Sequence, residues 1–184
     1  ETKSVLQVPW MGVVTMAFAA YPSFFRALWS GVAPLARSRA FVEACGDLRA
    51  AAEAAAGRLD PTDQSTAMAA KGYAASEIDD IRALIEIFSH GNMPYLLIAT
   101  AARLLLEDRP LSDQTEAAPF AGRHGPSAEK RLSLMEPHHV DAPTAEVYRR
   151  IKDALGLPFV NTDYRALARW PSYFAEAWRA LEPK

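Results

Sequence analysis

The chain has 184 residues, half of them hydrophobic, a net charge of −2 and a pI near 6.1. That is enough apolar material for one core or two small ones, with no basic footprint for nucleic acid. The single Cys45 excludes an internal disulfide framework and suits a reducing cytoplasm, and no apolar run reaches the ~20 residues that span a bilayer. The opening ETKSVLQVPW lacks the basic-then-apolar order of a signal peptide. It also lacks an initial Met, so some upstream sequence is expected to be missing. A soluble, cytoplasmic protein with no nucleic-acid or membrane partner is expected.

Alternating β-patterns are scarce and helical signals run from end to end, which predicts an all-α fold. Residues 13–20 read as a short helix stopped by Tyr21-Pro22, with Pro22 opening the next helix to about Val32. Pro34 is expected to open a long Ala-rich helix to about Arg58. Asp60-Pro61 breaks it, and a further helix to about Lys71 ends with Gly72 as C-cap. Ser76 and Asp79 resemble a capping box, and Ile78, Ile81, Leu84, Ile85 and Phe88 then form one apolar stripe. The run Ser89-His90-Gly91-Asn92-Met93-Pro94 predicts a tight turn before a second, nearly all-apolar and therefore buried helix over 95–106. From 107 to 143 the composition changes to Pro, Gly, Ser and charge, which reads as a linker. Thr144 is expected to cap a helix over 145–155 that Gly156 terminates.

The end of the chain repeats its beginning. Residues 157–178 lie without gaps on residues 8–29 at an offset of 158 − 9 = 149. Pro158 falls on Pro9, Ala166 on Ala17, Pro171 on Pro22, Phe174 on Phe25 and Trp178 on Trp29, so an internal duplication is expected. Two pseudo-symmetric repeats follow: residues 1–108, a linker over 109–143, and the start of a second repeat over 144–184 packed with the first as one domain. Only 184 − 149 = 35 positions of the second copy are present. An unfinished lobe is expected to expose an apolar patch, and hence to give a homodimer or domain swap.

One difference between the copies points to chemistry. Where the first has Val14 in an apolar run, the second has Asp163, flanked by Asn161 and Thr162. A first-turn aspartate ordinarily faces solvent and suits the helix dipole. The aligned valine instead suggests an apolar interior, where desolvation raises a carboxyl pKa and makes the group a usable base. Asn92, in the expected turn, reads as the cap of the following helix, and the same geometry lets free N–H groups there hold a substrate carboxylate or its amide orient a water, the two roles not being exclusive. Trp10 is a core candidate; if it faces its counterpart Phe159, the two form a water-poor wall. The four histidines lack metal-ligand spacing, with His138 and His139 adjacent, His124 in the linker and His90 at a helix end, so no metal is expected. Cys45 has no Cys-x-x-Cys partner, and neither a phosphate loop nor a nucleophile elbow is present.

Together the Val-Pro-Trp start, YPSFFRALW, HGNMPYLL and TDYRALARWP resemble the group I 2-haloacid dehalogenases, the DehI family, over nearly the whole chain. The resemblance implies an all-α fold of two pseudo-symmetric repeats with the active site between them. It further implies hydrolysis of D- and L-2-haloalkanoic acids to 2-hydroxy acids of inverted configuration, without metal or cofactor. Asp163, seven residues before Trp170-Pro171, matches the catalytic aspartate, and Asn92 the asparagine that holds water or substrate. Trp10, Tyr95, Phe159 and the hydroxyl of Thr162 match the substrate pocket. Val13 stands where family members carry an aromatic, so halide or substrate fit is expected to differ. In the implied reaction Asp163 activates a water that attacks Cα directly. The alternatives are an inactive or differently specialised relative, and a helical oligomerisation module.

Overall fold

A computed structural model describes residues 1–109, 118–122, 125–126 and 132–184. Nine helices occur among them: α1 (Thr2–Leu6), α2 (Val13–Ala19), α3 (Pro22–Ala36), α4 (Arg39–Gly57), α5 (Ser65–Ala70), α6 (Ala75–Leu106), α7 (Ala142–Leu155), α8 (Thr162–Leu167) and α9 (Pro171–Leu181). No strand is present among the described residues, only an isolated bridge between Ser38 and Pro119. The all-α expectation holds.

The expected breaks hold where backbone chemistry enforces them and move where it does not. Gly72 and Gly156 both take positive φ, +88° and +63°, just beyond α5 and α7, as their lack of a Cβ permits. Pro34 does not open a helix; it lies inside α3, which runs on to Ala36. The break falls at Arg37-Ser38, where Ser38 Oγ accepts from Phe41 N–H and the 118–120 segment pairs with Arg37 and Arg39. Neither expected cap is used. Glu77, the third residue of α6, reaches back to the Ala74 N–H, and Asp141 accepts from Thr144 N–H at the start of α7.

Residues 89–94 depart furthest from the sequence expectation. No turn forms there: α6 runs unbroken for 32 residues with Pro94 inside it. Proline removes one donor, the bond to the His90 carbonyl, at a cost of about 3 kcal/mol in a helix interior. Here the Pro94 ring is fully buried, so packing offsets that cost. His90 is correspondingly mid-helix and partly buried beside Glu86, and His124 lies outside the described residues.

The chain divides into two compact units, residues 1–53 with 86–130 and residues 54–85 with 131–184. This partition differs from the repeat boundaries expected from sequence, because residues 54–85 group with the C-terminal part. In the first unit Trp10, Phe88, Tyr95 and Val8 are buried together around Gly91. In the second, Val147, Tyr148, Ile151, Val160, Phe174 and Trp178 make the core. There Tyr73 also meets the start of α9, its hydroxyl accepting from Tyr173 N–H and bonding the Ser172 hydroxyl at 2.7 Å.

The offset of 149 recurs in the backbone. α2 and α8 begin at Val13 and Thr162, and α3 and α9 at Pro22 and Pro171. Their preceding residues match in φ and ψ: −122° and 74° at Tyr21, −117° and 78° at Trp170. Gln7 and Gly156, also 156 − 7 = 149 apart, both take the left-handed conformation after a helix. Trp29 and Trp178 are each buried with Nε1 unpartnered among the described residues.

Candidate active site

In the first unit the Val-Pro-Trp segment lies against α6, and two glycines permit the approach. A Cβ on Gly91 would come 2.3 Å from Trp10 Cη2, and one on Gly12 would come 2.6 Å from Tyr95 Cγ. The Trp10 ring packs on Phe88 and Tyr95, with centroids 4.4 and 6.2 Å away. Tyr95 O–H donates to the Trp10 carbonyl at 2.7 Å, and burial pushes its pKa up to about 12, so it remains a neutral donor. Trp10 and Tyr95 are thus brought together, with Val13 partly buried at the start of α2.

Asn92 is exposed on α6, one helical turn before this cluster ends. The helix passes straight through it, so no free helix-start N–H groups surround it. The anion-binding and capping readings of Asn92 are both overturned by that continuity. Its side-chain amide remains available to solvent and solute.

The second unit holds Phe159, Thr162 and Asp163. Phe159 is 41% exposed, whereas Thr162 is buried. Asn161 precedes α8 in extended conformation but makes no side-chain cap bond, and its Oδ1 is buried without a partner among the described residues. Asp163 is partly buried. Burial raises its pKa, partly opposed by the Tyr164 N–H that donates to Oδ1 at 3.1 Å. The Tyr164 phenol is also raised, by burial first and by the Asp163 charge second. Contrary to the expectation from the aligned position, Val14 is 42% exposed and marks no apolar interior. Burial of Asp163 comes from its own neighbours. Such a carboxylate holds a proton more tightly than an exposed one and is suited to act as a base.

Sequence inspection missed the groups that hold α8. Arg165 Nη1 donates to both carboxylate oxygens of Glu136 at 2.7 and 2.8 Å. Met135 N–H donates to the Arg165 carbonyl at 3.0 Å. No local pattern signals this, because Glu136 falls in the low-hydrophobicity stretch taken for linker. No cluster of three or more His, Cys, Asp or Glu suited to a metal occurs among the described residues. An open apolar groove of about 340 Å³ in the first unit is lined by Val14, Phe18, Ala99, Ala102, Arg103, Leu106 and Glu107. It includes none of the expected site residues.

A family model described as halocarboxylic acid dehydrogenase DehI matches residues 9–157. The chain belongs to the DehI family. An (R)-2-haloacid dehalogenase from Rhizobium sp. (strain NHG3) is 48% identical over 98% of this chain and 70% of its own length. One from Pseudomonas putida is 38% identical over 100% of this chain and 62% of its own. A configuration-inverting 2-haloacid dehalogenase from Pseudomonas sp. (strain 113) is 26% identical, again over 100% of this chain and 61% of its length. A solved D-2-haloacid dehalogenase mutant in complex with D-2-CPA superposes with a TM-score of 0.88 at 36% identity. That match covers 99% of this chain and 64% of the other. The chain therefore spans 61–70% of the length of these DehI relatives. No helix among the described residues is long and apolar enough to cross a membrane.

Proposed function

We propose that this DehI chain carries the catalytic carboxylate of a hydrolase acting on 2-haloalkanoic acids, with no metal or cofactor required. Asp163 removes a proton from water, the water oxygen bonds to Cα from the side opposite the halogen, and the carbon–halogen bond breaks to release halide. The product is a 2-hydroxy acid of inverted configuration, and the proton on Asp163 passes to solvent. The observation that carries this reading is the partly buried Asp163 carboxyl, raised by desolvation and anchored at the start of α8. Support comes also from relatives named as 2-haloacid dehalogenases, two of them (R)-2-haloacid dehalogenases by name. For that reason the D enantiomer is the expected faster substrate, with the L enantiomer as the comparison.

Trp10, Tyr95, Val13, Thr162 and Phe159 are proposed to bind substrate, and Asn92 to hold water or substrate through its side-chain amide. Halide release from D- and L-2-chloropropionate by the wild type and Asp163→Asn tests the reading. Activity lost in the variant supports it. A single turnover in heavy-oxygen water should label the hydroxy acid; label in the protein instead would mean an aspartyl ester and sink direct attack.

A second reading draws on exposed apolar side chains in the first unit: Val14, Met16, Leu96, Leu105 and Leu106. They favour self-association, so a homodimer in the reducing cytoplasm belongs to the proposal. No halide release from a folded chain that self-associates would favour this helical module over the hydrolase.

A further inference from the structure

Helix α8 spans only six residues, too few to keep helical shape by itself in water. Its N-cap Asn161 gives no side-chain bond, so the restraint on it must come from elsewhere in the second unit. The 132–136 segment supplies that restraint. Met135 N–H holds the Arg165 carbonyl at 3.0 Å, and the Met135 carbonyl is itself held by Tyr148 O–H from α7 at 2.8 Å. Glu136 takes the Arg165 guanidinium through both oxygens, at 2.7 and 2.8 Å. Backbone and side chain of one residue are thus gripped by two consecutive residues. A T-shaped contact of Tyr164 with Trp178, centroids 6.1 Å apart, steadies the intervening position. Arg165 lies two places beyond Asp163, hence on another face of the helix. Its charge is engaged by Glu136.

We infer that Glu136 and Arg165 are positioning residues, a clamp that fixes α8 and so aims the Asp163 carboxylate at the reacting water. The inference rests on Asp163 being the base proposed above. With the arginine side chain 21% and the glutamate 39% exposed, the pair is partly buried. Its effect is geometric, and displacement of a catalytic group by ~1 Å can cost on the order of 100-fold in rate.

The test compares Arg165→Met, Arg165→Lys, Glu136→Gln and Asp163→Asn with the wild type. Arg165→Met and Glu136→Gln should lower kcat by roughly tenfold or more while KM changes less than about twofold. Arg165→Lys should recover part of the loss, and melting temperatures measured alongside separate loosening of α8 from global unfolding. Unchanged kcat in both Arg165→Met and Glu136→Gln overturns the clamp. A second readout does not depend on turnover: the carbon-13 carboxyl titration of Asp163 in wild type and Arg165→Met. Loosening of α8 should move that titration toward the ordinary aspartate value, and superimposable curves overturn the inference even if Arg165→Met proves unstable. If Asp163→Asn keeps full activity, the base assignment fails separately, while the titration still judges the clamp.

Discussion

Burial raises the Asp163 carboxyl, so the folded chain binds this proton more tightly than the unfolded chain does. With the folded pKa above the unfolded one, the stabilising contribution is complete below the unfolded value and is lost as pH rises through the folded value. At neutral pH the ionised group therefore strains the fold that it serves. Asp163→Asn should lose roughly two to four orders of magnitude in halide release. It should also gain stability relative to wild type as pH rises, read by urea unfolding across that range. The acid limb of kcat/KM should lie above the ordinary carboxylate range, and a limb at the ordinary value would contradict the raised carboxyl. Glycines supply a second residue-scale contrast. Gly91→Ala places a methyl 2.3 Å from the Trp10 ring and should destabilise by about 1–3 kcal/mol. Gly46→Ala, in open space within α4, should stabilise by about 0.5–1 kcal/mol. Chemical denaturation of the two variants checks both signs.

At the scale of elements, α7 starts on a side-chain cap. Asp141 accepts the Thr144 N–H, and its pKa is held below the ordinary value by the Thr144 side-chain hydroxyl first and by that N–H second. A lowered folded pKa means stability that is present above the unfolded value and lost as pH falls through the folded one. Asp141→Ala should lower the melting temperature at neutral pH and leave it unchanged in acid, which calorimetry at two pH values would test. Tyr73 caps α9 from a distant part of the chain. Tyr73→Phe leaves the Tyr173 N–H and the Ser172 hydroxyl without that partner and should cost about 1 kcal/mol. Wild-type stability in that variant would mean water replaces the phenol without loss.

For the whole molecule, the exposed apolar side chains of α2 and the second half of α6 should draw two copies together at micromolar concentration. Sedimentation velocity reads this directly, and a clean monomer removes the homodimer from the proposal. Helix class, the offset of 149 and the difference between Val14 and Asp163 were legible in the sequence, because periodicity, proline placement and a one-for-one offset are local or linear signals. The paired helix starts at Val13 and Thr162, and at Pro22 and Pro171, follow from them. The fate of Gly91-Asn92-Met93-Pro94 was not legible. A proline signals a break only while its ring is exposed to no better use; buried Pro94 and the close fit of Gly91 to Trp10 carried α6 through. By itself the sequence determined which residue types could do chemistry and that the chain would be helical, while packing set helix boundaries such as those at Pro34 and 89–94. Tertiary structure alone decided that Asn92 sits mid-helix, that Val14 is exposed while Asp163 is partly buried, and that Glu136 holds Arg165. Burial and long-range pairing depend on neighbours far away along the chain, and no local pattern encodes them.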